Sequence, residues 1–171
     1  EMQVFEDLTG ARIGDAVEFK GTPLSVLVGP GLLTSIWDGL QNPLYELSEQ
    51  DPYLRPGMHA PALDEKKLWD FTPGLSVGDV LKGGDTIGSV PEGHFEHKIL
   101  VPFGIKQCTV NEIIGKKSVN ITDVVAIVTD ENNQKQELKL AFRHPVKQPI
   151  PFKERSIPRK TISTGVRVID L

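Results

Sequence analysis

The chain has 171 residues, a formal net charge of -4 and a single cysteine, Cys108. That length supports a working core, while the acidic balance excludes a protein built mainly to neutralise nucleic-acid phosphates, and one cysteine excludes an internal disulfide. The expected compartment is reducing and cytoplasmic. No stretch approaches the roughly 18 uninterrupted apolar residues of a helical membrane span, and the N-terminus lacks the basic-then-apolar pattern of a signal peptide, so no direct membrane insertion is expected. Thirteen prolines and sixteen glycines spread along the chain point to many short elements joined by tight turns, and hence to a mainly β fold.

In chain order, Val4-Phe5, Ala16–Phe19 and Leu24–Val28 read as strands separated by Thr9-Gly10, Ile13-Gly14-Asp15 and Gly21-Thr22-Pro23. The Gly29-Pro30-Gly31 turn follows. Behind it Leu33, Ile36, Trp37 and Leu40 fall at i, i+3, i+4 and i+7, the pattern of one buried helical face, which Asn42-Pro43 should end. Positions 51–63 hold Pro52, Pro56, Gly57 and Pro61 with little periodicity, the composition of a long irregular loop. Strand signals resume at Leu68–Phe71, Asp79–Leu81, Thr86–Val90, His97–Val101, Thr109–Ile114 and the long run Val119–Thr129. A polar turn at 130–133 leads into the alternating Gln136–Phe142 segment, the clearest hairpin in the chain. Beyond it, Pro145, Pro149, Pro151 and Pro158 alternate with Lys147, Lys153, Arg155, Arg159 and Lys160, a stiff basic connector expected not to pair as a strand. Both ends look cut: Glu1–Glu6 alternates like a strand with no cap before it, and Val166–Leu171 is apolar enough to want burial, so an excised fragment is expected.

Several constellations invite chemistry. A Gly-Pro-Gly entry can cup an anion with backbone N–H groups, but Pro30 has none to give and no lysine follows in phosphate-loop spacing; a packed structural helix is the alternative. His94, Glu96 and His97 are zinc-ligand types, although residues three apart on a strand face opposite sides. Cys108 has Lys106 nearby, which favours a thiolate, against the reading of a half-buried structural thiol. Trp37 and Trp69 suit either a ligand platform or a core. Ser, His and Asp occur in no spacing that assembles a nucleophile with its base. Val77-Gly78-Asp79-Val80, Gly83–Gly88 and Lys98–Pro102 resemble half of a biotinyl or lipoyl carrier fold, but the hairpin tip at 130–133 carries no acceptor lysine.

Taken together, Val4-Phe5-Glu6-Asp7 with Thr9-Gly10, Gly21–Val26, Gly29–Leu33, Ile36–Gln41, Pro43-Leu44, Trp69-Asp70-Phe71, Gly78-Asp79, Gly84-Asp85, His97–Pro102 and Thr164–Asp170 resemble, in this order and over nearly the whole chain, the catalytic A subunit of V-type and archaeal A-type rotary ATPases. The resemblance implies a division into the end of an N-terminal β-barrel (1–28), a connecting helical segment (29–45), an inserted bulge domain of barrel-sandwich type (46–142), and a Pro-rich connector with the start of the nucleotide-binding domain (143–171). It implies that the phosphate-binding loop and catalytic glutamate lie beyond Leu171, so no residue here takes a catalytic, cofactor or metal role, while the parent binds ATP and Mg and moves H+ or Na+. It also implies partners among the other ATPase components, the peripheral stalk and the B subunit, in a cytoplasmic sector peripheral to the membrane. Structural roles fall to Gly29, Pro30, Gly31, Leu33, Ile36, Trp37, Leu40, Trp69 and Pro102, with the 33–40 helix as a packing wedge between barrel and insertion. Two departures stand out: His144-Pro145-Val146-Lys147 replaces the family's Trp-Pro-Val-Arg, and Cys108 replaces a turn glycine.

Overall fold

A computed structural model describes residues 9–19, 21–53, 55, 57–152 and 154–170. The expected strand at Val4-Phe5 lies outside them. The first ordered strand is β1 (Ser25–Val28), followed by a single 3-10 turn at Leu32–Thr34 and helix α1 (Leu44–Gln50). Nine more strands follow in order: β2 (Trp69–Pro73), β3 (Val80–Leu81), β4 (Thr86–Glu92), β5 (Phe95–Leu100), β6 (Cys108–Ile113), β7 (Lys117–Val119), β8 (Val124–Asp130), β9 (Lys135–Lys139) and β10 (Phe142–Pro145). A four-residue helix, α2 (Arg167–Asp170), is the last element among the described residues.

The strands make two antiparallel four-stranded sheets, ordered β5-β4-β2-β7 and β3-β6-β8-β9, and a separate pair of β1 with β10. The fold is mainly β without a closed barrel. One apolar cluster draws on both sheets, with Phe71, Ile87, Val90, Ile99, Val110, Val125, Val128 and Leu138 almost wholly buried. Period-two alternation does the sorting: in β2, Trp69 and Phe71 point inward while Asp70 and Thr72 face out. Outside, Ser118 of β7 hydrogen-bonds to Asp70.

The turns repeat one device. In Ser76–Asp79 and Lys82–Asp85 the fourth residue's N–H donates to the first residue's carbonyl, and its carboxylate accepts from the first residue's N–H at 2.9 and 2.8 Å. Gly78 and Gly84 take the third position at φ +96° and +91°, which side-chain-bearing residues adopt only with strain. Asn120–Asp123 makes the same pair of bonds without a glycine. That turn divides the run read from sequence as one strand, Val119–Thr129, into β7 and β8.

Three further expectations need correction. Residues 16–19 form no strand, and Val17 and Phe19 lie exposed. The 33–40 segment is not a helix: Leu33, Ile36 and Leu40 are 60%, 53% and 39% exposed, and Trp37 is half-buried at the margin of the core. Asp38 explains why. Its carboxylate accepts the N–H groups of Leu40 and Asn42 at 2.9 and 2.8 Å, a local bonding choice that competes with the helical ladder, and Gly39 adds the entropy of a helix breaker. Burial works against ionisation of Asp38, but these bonds and one from the Asn42 amide outweigh it and hold its carboxyl below the ordinary range. Instead of a wedge, a loop folds back so that Trp37 bridges Pro43. Pro43, read as a stop, is the residue from which α1 starts, as suits a ring whose fixed φ precedes a helix well.

Finally, the proline-rich connector does pair at its start. Ser25 lies opposite Pro145 and Val28 opposite Phe142, and Val146 N–H donates to Leu24 at 2.9 Å. Pro145 is tolerated because it stands at the end of an edge strand, where its missing donor breaks no ladder.

Candidate functional site

The Gly-Pro-Gly turn leaves the end of β1 and meets the β4–β5 hairpin. Alternation along β4 turns Val90 and Glu92 to the same buried side, so a carboxylate is carried inward and left 2% exposed. Burying that charge is costly unless each oxygen is bonded. Here both are. Oε1 accepts the Gly31 N–H at 2.7 Å and the Leu33 N–H at 3.3 Å, while Oε2 lies 2.6 Å from His97 Nδ1. The amides that an external anion would need are therefore occupied by the chain's own carboxylate.

Other bonds fix the rest of the connecting segment. Gln41 grips the outer edge of β1, its amide giving to the Leu27 carbonyl and accepting the Leu27 N–H, both at 2.7 Å. Trp37 Nε1 donates to the Ala62 carbonyl at 2.9 Å. Beside the turn, Trp69 is 5% exposed, and the Lys67 ammonium sits 4.1 Å from its ring centre, a cation–π geometry. Gly29 lies against Ala141, Pro30 is fully buried, and the Pro102 carbonyl accepts the Ile105 N–H.

The structure separates the remaining candidates. Glu96 takes a bond from Ser89 at 2.6 Å and His94 lies at the exposed hairpin tip, so the three metal-ligand types diverge. Among the described residues no three His, Cys, Asp or Glu side chains converge. Cys108 is buried, and that burial, followed by the charges of Asp85 and Asp130, pushes its thiol up; this is the inert kind of cysteine. His144 packs edge-on against Phe103 with ring centres 5.3 Å apart and bonds the Gln148 carbonyl. Asp170 gathers Thr164 N–H, Ser163 Oγ, Thr164 Oγ1 and Gly165 N–H, and these bonds lower its carboxyl from 3.8 to about 2. Glu92 was missed from sequence, although it stands two residues after the buried Val90 and so in phase with it along the strand.

The family model of the ATP synthase alpha/beta subunit barrel-sandwich domain matches residues 60–147. The chain is similar to the V-type ATP synthase alpha chain of Treponema denticola, 43% identical over 173 residues, and to that of Protochlamydia amoebophila, 42% identical over 172. It is 41% identical over 171 residues to the A-type ATP synthase A subunit of Methanopyrus kandleri. Each match takes in 99% of this chain but 29% of the relative, so the chain spans under a third of the length of these curated relatives. No helix among the described residues is long and apolar enough to cross a membrane. The two-sheet body, its Gly-Asp turns and the near-complete match together establish that the chain belongs to the ATP synthase alpha/beta barrel-sandwich family, with the V-type and A-type alpha (A) subunits as its relatives.

Proposed function

We propose that this chain is a non-catalytic, structural part of a V/A-type ATP synthase A subunit, whose parent couples ATP hydrolysis or synthesis to H+ or Na+ transport. The observation that carries the reading is the 40–43% identity to such subunits over 99% of the chain. In the proposed division, residues 1–28 end an N-terminal barrel, 29–45 connect, 46–142 form the outward bulge, and 143–171 lead into the nucleotide-binding domain. The pairing of Val28 with Phe142 supports the outer limits, because it brings the two ends of the intervening segment together. ATP and Mg act in the parent, in a sector peripheral to the membrane on the cytoplasmic side. The role of this part is contact with its neighbours in the complex, the peripheral stalk above all and then the B subunit.

The test is to mix the chain with purified stalk subunits at tens of micromolar and follow sedimentation. A faster-sedimenting complex supports stalk contact; two independent boundaries overturn it. The alternative, a free-standing biotinyl-like binding domain, predicts a mass increment on a lysine, and the tip at 130–133 offers none.

A further inference from the structure

We infer that Glu92 is a positioning residue that ties the tip of the β4–β5 hairpin to the β1–β10 neck, so that hairpin and neck open as one unit. Glu92 is the last residue of β4 and pairs with Phe95 across the two-residue turn Gly93-His94. Its carboxylate therefore sits directly behind the exposed tip while its bonds reach Gly31 and Leu33, the residues by which the chain leaves β1. In sequence, Gly31 and Glu92 are 61 residues apart. The hairpin has no other described hydrogen bond to the turn. His97 completes the arrangement by binding Oε2, which fixes the carboxylate's rotation so that Oε1 meets the amides. A push on His94 or Phe95, the two exposed tip side chains, is thereby passed to β1 through one buried group.

The experiment is residue-resolved hydrogen exchange on the 171-residue chain and on Glu92→Ala. The expected result is a rise of roughly tenfold to a hundredfold at Gly31 and Leu33, with neck amides in β1 and β10 exchanging faster than those of the hairpin, and with Val125 and Val128 unchanged. Added formate, small enough to enter the vacated space, should restore protection where chloride at equal ionic strength does not. Unchanged exchange at Gly31 and Leu33, or a rise shared equally by Val125 and Val128, overturns the inference. Glu92→Gln keeps shape and volume and serves if the alanine variant does not fold. A severalfold rise confined to Gly31 and Leu33 supports the tie, because a neutral acceptor bonds more weakly than a charged one; no rise overturns it.

Discussion

Gly29→Ala tests whether the two ends of the lobe really touch. A β-carbon built on Gly29 falls 2.6 Å from Ala141 Cβ, 3.0 Å from its Cα and 3.3 Å from the Leu140 carbonyl. Gly29 carries no positive φ, so an alanine there meets steric opposition alone, and two strands must part by about an ångström to admit it. Overpacking of that kind costs about 1–3 kcal/mol. The complementary change, Ala141→Gly, removes the nearest obstructing atom and by itself costs about 0.5–1 kcal/mol in chain entropy. The double variant should therefore be less destabilised than the sum of the singles, by about 1 kcal/mol or more, as residues in contact are expected to couple. Urea denaturation of all four proteins, followed by tryptophan fluorescence, measures the cycle. Additive losses, or a loss under about 0.5 kcal/mol for Gly29→Ala, would refute the close crossing.

Phe71→Ala, which empties a fully buried ring position, should cost about 3–5 kcal/mol, whereas Leu33→Ser and Ile36→Ser, both on exposed sites, should stay within about 0.5 kcal/mol; comparable losses at all three would restore the helical wedge. Asp170, held at about 2 against an ordinary 3.8 by bonds led by the Thr164 N–H, should give a carboxyl titration by NMR centred near the lower value. Because its folded value is the depressed one, its support for the 163–166 loop is complete above 3.8 and disappears as pH falls through about 2; amide shifts of Thr164 and Gly165 that move near 3.8 instead contradict this. Native Cys108 should resist iodoacetamide until the chain is unfolded, since burial disfavours its thiolate, and labelling at the rate of a free thiol would show the core to be open.

Much of the sheet was legible because alternation is a local signal. The hairpin of β8 and β9 announces itself through the polar residues 130–133, and Asp130 closes that turn by accepting from Asn132 and Gln134. The break at Asn120–Asp123 was not legible, because its reciprocal side-chain bonds do the work that glycine or proline signals elsewhere. Helical spacing at Leu33, Ile36, Trp37 and Leu40 misled for a related reason: periodicity records which residues are apolar, while Asp38 decides where the backbone N–H groups go. Glu92 lies between these cases. Its inward place follows from the strand period, but its partners are the amides of a turn far earlier in the chain, and no local pattern names them.

The neck has a consequence for how such a protein can come to exist. Val28 and Phe142 stand opposite each other, about 5 Å apart as neighbouring strands are. A host polypeptide that enters through β1 and resumes after β10 thus needs no wider gap than a hairpin turn would fill. The segment from Gly29 to Ala141 thus starts and ends side by side, like a cassette on a two-strand handle, and its own Gln41 covers the handle's free edge.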